Sequence, residues 1–425
     1  MRRTVNLVKR RIAWNLRLAF CFSIVLAVNL AACAPRQSQH PPHPPPSGTP
    51  LVQKTPLVRN VLMPQSTPIP CEQGPEPQEP YLGMWISGEE LACLPTSGLA
   101  WEQLKAVADQ ESGQPNLGDQ NDNTNVAVLA KALVYARTGK QQYRDDVVAA
   151  LRIITFGNTE VGALALGREL AAYVIAADLI ALANYDPDLD AQFRDKLREL
   201  LSKKLDARTL QSTHEDRPNN WGTHAGASRA AVAVYLGDTA ELERAAQVFK
   251  GWLGDRNSYA GFTYGRLSWQ ADPHKPVGIN PKGAMKEGHS IDGAQPEEMR
   301  RGGKFRWPPK ETGYAWEGLQ GALVQAEILH RAGYPAWEWE DRALLRAVQF
   351  LYDIGWEPEG DDEWQPWLVN YAYDTAFPAT TPARPGKNMA WTDWTHSAHR
   401  AACHADAVQH TKTVPELSTS HYLDR

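Results

Sequence analysis

From Val126 to Leu253 and again from Ala315 to Ile354 the chain repeats one pattern, apolar residues three and four positions apart, broken by Gly or Pro. That period places the apolar residues on one helical face. It predicts helices over Val126–Thr138, Arg144–Thr155, Gly162–Leu182, Asp190–Lys204, Ala225–Leu236, Ala240–Leu253, Ala315–Ala332 and Trp339–Ile354. No alternating β-branched run is long enough to argue for a sheet. The expected class is all-α, built from antiparallel helix pairs. A TPR-like solenoid is the structural alternative, but the spacing is uneven and no fixed-period repeat is present.

The termini read differently. Arg2, Arg3, Lys9, Arg10, Arg11 and Arg17 form a basic flank before an apolar run, Leu18 to Ala32, that is short for a bilayer span. The run ends in Leu30-Ala31-Ala32-Cys33, which resembles a bacterial lipobox. Residues 1–33 are therefore expected to be a lipoprotein signal peptide, with Cys33 lipidated and the protein exported, periplasmic or at the cell surface. An uncleaved signal anchor is the alternative, disfavoured by Asn29 within the run. Residues 34–80 are rich in Pro, Gln and Ser without apolar periodicity, and read as an extended stalk. Residues 81–404 form the expected domain, roughly 300 residues and enough for one large core. Residues 405–425 are expected to be a flexible tail. Cys71, Cys93 and Cys403 lie outside the signal; an exported chain can pair two of them, and the spacing does not say which. No CxxC pair suggests structural zinc.

A formal net charge of −5 gives no case for a nucleic-acid partner. The 15 tryptophans offer platforms for sugar rings, although most Trp residues fill cores.

The most pointed motif is Arg217-Pro218-Asn219-Asn220-Trp221-Gly222-Thr223-His224, at the start of a predicted helix. Asn219, Asn220 and Thr223 are candidate N-caps, and the exposed N–H groups of a helix start can hold an anion such as a sugar carboxylate. Asn220 and His224, four residues apart, can face one ligand. The plainer reading has the Asn pair capping the helix and Trp221 packing in the core. His214-Glu215-Asp216-Arg217 either orients the pair through a charge network or is a solvated loop. Gln120 to Asn125 can contact sugar hydroxyls or cap the helix that follows. Asp255 to Pro309 lacks a convincing helix yet holds Tyr259, Tyr264, Arg266, Trp269, His274, Lys275, His289, Asp292, Arg300, Arg301, Lys304 and Arg306. So long an irregular stretch, rich in aromatics, is expected to line a cleft, and its cations suit an anionic polymer. Trp391 to His396 reads as packing or as a further aromatic contact.

Several of these segments resemble the alginate lyase family of polysaccharide lyases: Leu94 to Gly98 with Trp101, Gln120 to Asn125, Ala130 to Gly139, Asn219 to Thr223 and Gly313 to Gln320. The resemblance runs from Leu91 to His396 and implies an incomplete α/α toroid that cleaves a uronate-containing polysaccharide by β-elimination. It implies Tyr314 as proton carrier, with Arg306, or Arg301 as its rival, binding and polarising the site. Asn220 would neutralise the C6 carboxylate so that the C5 proton can leave. A base must take that proton and an acid must protonate the leaving O4. This chain departs from the family at Trp221, where many members have His, so the base remains open between His224, His214 and Tyr314. Asn219, Trp221, His214, Arg301, Tyr264, Trp269 and Asn125 complete the candidate substrate-binding set. The motifs demand no cofactor, since amides and a guanidinium can do the neutralising; His289 with Asp292 is the candidate place for a metal in the domain, and the spacing of His40 and His43 within a polyproline segment argues against one there. The rival functions are a toroidal glycoside hydrolase using two carboxylates among Asp122, Glu215, Asp292 and Glu317, and a non-catalytic glycan-binding lipoprotein.

Overall fold

A computed structural model describes residues 81–157, 160–205, 207–382, 386 and 388–397. The signal peptide with Cys33, the stalk, the tail, Cys71 and Cys403 lie outside the described residues; Cys93 is half-buried. No helix among the described residues is long and apolar enough to cross a membrane.

The all-α expectation holds. Helices dominate, and the one described sheet is a hairpin pairing Met285–Lys286 with His289–Ser290. The predicted helices are present with small shifts at their ends: Thr124–Thr138, Gln141–Phe156, Ala163–Leu179, Pro187–Ser202, Asn220–Leu236, Thr239–Leu253, Tyr314–Arg331 and Trp339–Asp353. The third prediction ran through a break, because Ala181 turns left-handed and a separate turn, Leu182–Tyr185, follows. Shorter helices at Leu99–Ala108, Leu210–Asp216 and Gln365–Tyr373 escaped the periodicity. The last two span 7 and 9 residues, too few to display a face twice.

Burial sorts the helices into two layers. Thr124–Thr138, Ala163–Leu179, Asn220–Leu236 and Tyr314–Arg331 are buried on nearly every side, as their Ala- and Gly-rich sequences allow. Gln141–Phe156, Pro187–Ser202, Thr239–Leu253 and Trp339–Asp353 bury one stripe and expose the other, the pattern of an outer layer. Contacts between helices run from Leu99–Ala108 through the four inner helices to Gln365–Tyr373 and Thr392–Thr395, then back to Leu99–Ala108.

The inner helices meet at very short range around the start of Asn220–Leu236. A Cβ on Gly321 would fall 2.3 Å from the Thr223 carbonyl carbon, and one on Gly167 would sit 3.1 Å from the Ala225 nitrogen. Glycine at these two positions lets the neighbouring backbones fix the Asn220 helix from both sides. Asp255 to Pro309 is mostly irregular, as expected, with only short helical turns such as Leu267–Trp269 and Pro296–Met299.

Candidate active site

A cleft of about 430 Å³ opens at the start of the Asn220 helix. Gln120, Asn121, Leu164, Arg168, Asn220 and Trp221 line one part; Arg301, Gly313, Tyr314 and Glu317 line the other.

Asn219 is the N-cap by backbone geometry, but its side chain makes no capping bond. The Oδ1 atoms of Asn219 and Asn220 are both buried without a hydrogen-bond partner among the described residues. The capping explanation of the pair therefore fails, and the Asn220 amide is available to the cleft. The helix start itself is not open to an anion. The Asn220 backbone N–H donates to Oε1 of Glu298, so a protein carboxyl group already occupies the place suggested for a sugar carboxylate. Burial raises Glu298 from an ordinary 4.5 to about 8, against the lowering effect of that hydrogen bond and of Arg301. Arg301 Nε lies 3.7 Å from the other Glu298 oxygen. One buried group thus reaches both the Asn220 helix and the Arg301 turn.

Trp221 is not a core residue. It is half-buried on the cleft wall, with the Arg217 guanidinium 4.5 Å from its ring centre. Behind it, the segment before the Asn pair is a helix carrying a charge network rather than a solvated loop. Glu215 accepts from Arg229 and Arg244, and Asp216 from Arg208 and Thr263. His214 is buried within this network, 3.4 Å from Arg229 Nη1 and from Gln325 Nε2. Burial first, then the charges of Arg229 and Arg244, hold its imidazole well below the usual range, so it is neutral; it does not line the cleft.

Tyr314 opens its helix at the cleft and is 43 % exposed. The Arg301 guanidinium lies 4.4 Å from the ring centre. Of the two candidate arginines, Arg301 therefore stands on the wall. Arg306 is exposed, donates from Nε to the Pro308 carbonyl at 3.3 Å, and is not among the lining residues. His224 is fully buried one turn below Asn220, with Nε2 3.9 Å from Glu317 Oε2. It stands behind the wall, and Glu317 lies between it and the cleft.

Arg168 and Glu317 were not singled out for this chemistry. Arg168 donates to Glu317 and to the Gln120 carbonyl, tying three cleft-lining segments together. The available signal was Arg168-Glu169 within the otherwise apolar Ala163–Leu179 helix, where a charge needs a partner. Gln120 and Asn121 reach the cleft, whereas Asp122 accepts from the Asn116 and Thr124 N–H groups. Asn125 is buried in its helix. Tyr264 packs edge-on against Phe262 and Trp269 is buried, donating to the Gly303 carbonyl at 3.3 Å; neither lines the cleft. In the last described turn, Trp391 and Trp394 donate to the Val126 and Pro95 carbonyls and His396 packs against Glu327, which is a packing role.

The hydrolase carboxylates do not converge. Only Glu317 lines the cleft; Glu215 belongs to the Arg229 network, Asp292 pairs with Arg346, and Asp122 holds its own loop. No group of three or more His, Cys, Asp or Glu residues among the described residues could hold a metal ion. His289 stacks on Trp307 instead of joining Asp292.

A helical scaffold presenting an amide, a guanidinium and a phenol to one polar cleft has the parts a polysaccharide lyase needs. Residues 100–261, less than half of the chain, match the alginate lyase family model, which supports an alginate lyase family domain there. The match supports polysaccharide lyase activity in general; it includes Asn220 and ends before Arg301 and Tyr314. No curated protein and no solved structure matches the chain.

Proposed function

We propose that this protein cleaves a uronate-containing polysaccharide such as alginate by β-elimination. The observation that carries the reading is the convergence of Asn220, Arg301 and Tyr314 on one cleft. The Asn220 amide and the Arg301 guanidinium hydrogen-bond the C6 carboxylate, which lets charge developing at C5 spread onto it. Tyr314, exposed beside Arg301, takes the C5 proton and returns a proton to O4 as that bond breaks. A single phenol serves both steps when the two groups leave from the same face of the ring, and this arrangement does not require His at position 221. His224 acts through Glu317: the imidazole backs the carboxylate, and the carboxylate holds Arg168.

The motifs demand no cofactor for this scheme. The sequence further supports export and tethering through a lipid on Cys33, with residues 34–80 as a stalk; loss of acyl labelling in Cys33→Ser tests that assignment. The reaction itself is tested by absorbance near ~235 nm, because elimination leaves a conjugated C4–C5 double bond and hydrolysis does not. Incubation with alginate, glucuronan and other uronate polymers is expected to give a rise on at least one. New reducing ends without that rise would replace elimination with hydrolysis.

A further inference from the structure

Trp307 is 39 % exposed and is the only tryptophan among the large exposed apolar residues described. Its ring is held in place. His289, from the Met285–Ser290 hairpin, stacks on it with ring centres 4.6 Å apart and planes 8° from parallel. Two residues earlier, Phe305 turns inward and packs edge-on against buried Trp269 at 4.7 Å. Trp269 in turn donates to the Gly303 carbonyl. The loop is pinched at its neck, where a Cβ on Gly302 would fall 2.4 Å from the Lys310 carbonyl oxygen. A loop anchored inside by Phe305 and closed at Gly302 thus presents Trp307 outward, with one indole face covered by imidazole.

The neck adjoins the cleft. Arg301 precedes Gly302, and Gly313 and Tyr314 follow Lys310 by a few residues; all three line the cleft. Three peptide units separate Trp307 from Lys310, a reach of at most about 11 Å. Lys304, Arg306 and Lys310 are exposed on the same loop, followed by one carboxylate, Glu311. An aromatic face amid surplus positive charge fits a ring with an apolar C–H face and an anionic substituent.

We infer that Trp307, backed by His289, is a distal binding subsite for a further uronate sugar of a polymer whose cleaved bond lies at Tyr314. The inference rests on the polysaccharide reading of the cleft, and it gives the irregular segment a task that Arg306 does not perform at the reacting centre. The indole would stack on the sugar ring while Lys304, Arg306 or Lys310 meets its carboxylate.

Native electrophoresis through gels containing alginate or glucuronan tests this without requiring turnover. Wild-type protein is expected to be retarded by at least one polymer. Trp307→Ala should weaken that retardation roughly tenfold in apparent Kd, the scale of one lost aromatic contact. Trp307→Phe should recover part of it, which separates loss of the platform from loss of the fold. Equal retardation of wild type and Trp307→Ala, or no retardation of wild type by any polymer in the panel, overturns the subsite. The ~235 nm assay reports separately on elimination. A rise there with equal retardation leaves the lyase standing and removes the subsite; reduced retardation of Trp307→Ala with no rise does the reverse.

Discussion

On the wall that carries Asn220 and Arg168, the side chains are 3 % and 5 % exposed and sit on helices buried on almost all sides. Elsewhere in the lining, on a second wall, Tyr314 is 43 % exposed, and Arg301 belongs to a short turn within the irregular segment. The first wall is fixed by helix packing; on the second, Tyr314 opens an inner helix while Arg301 is held by a few side-chain contacts, against Tyr314 and Glu298. The family match covers the first wall and stops before the second. In the proposed reaction Asn220 meets the carboxylate from a rigid helix, while Tyr314 stays accessible to a polymer entering from solvent.

This division predicts a graded set of effects. Tyr314→Phe should lower turnover by about 10²–10⁴-fold, the usual contribution of a positioned acid–base group, with polymer retardation retained. Near-wild-type turnover would move the chemistry off the exposed wall. Asn220→Ala should cost about 10²–10³-fold in kcat, as expected when one donor to a developing oxyanion is removed. A change confined to KM would reduce this residue to ground-state binding. Arg301→Ala should lower kcat/KM far more than Arg306→Ala; the opposite ranking would return the arginine role to Arg306 and break the assignment of the second wall.

Two further expectations concern how the walls are joined. Gly321→Ala forces a methyl group against the Thr223 carbonyl and should destabilise the fold by about 1–3 kcal/mol, read as a lower midpoint in denaturant. An unchanged midpoint would mean the inner helices are not tightly fixed there. The smallest effect is pH-dependent. Burial raises Glu298 from 4.5 to about 8, so the folded chain keeps a proton that the unfolded chain releases. Its contribution to stability is complete below about pH 4.5 and is lost as pH rises to about 8. Glu298→Gln should therefore flatten part of the fall in Tm over that interval. Parallel Tm profiles for wild type and variant would show that Glu298 does not titrate there.

The legible parts of the fold were those long enough to repeat their own pattern. The helices ending at Thr138 and Leu236 each stop at a glycine in the left-handed region, the stop signal that sequence alone offers. Leu210–Asp216 was missed because 7 residues cannot establish a period. In the site, Asn220 was visible because polar residues stood at a helix start, whereas Tyr314 came only through the family resemblance. Arg301 could be named but not chosen over Arg306, since five residues of irregular chain say nothing about which guanidinium turns toward the phenol.

The sequence by itself determined the all-helical class, the approximate extents of the long helices, and the helix start at Asn220. It did so because amphipathic period, small-residue content and helix ends are local properties written in neighbouring residues. Only the tertiary structure decided that Glu298 fills the Asn220 helix start, that His224 stands behind Glu317, and that Arg168 links three lining segments. Each of these joins residues dozens to more than a hundred positions apart, and no local pattern encodes which distant partner a buried charge will meet.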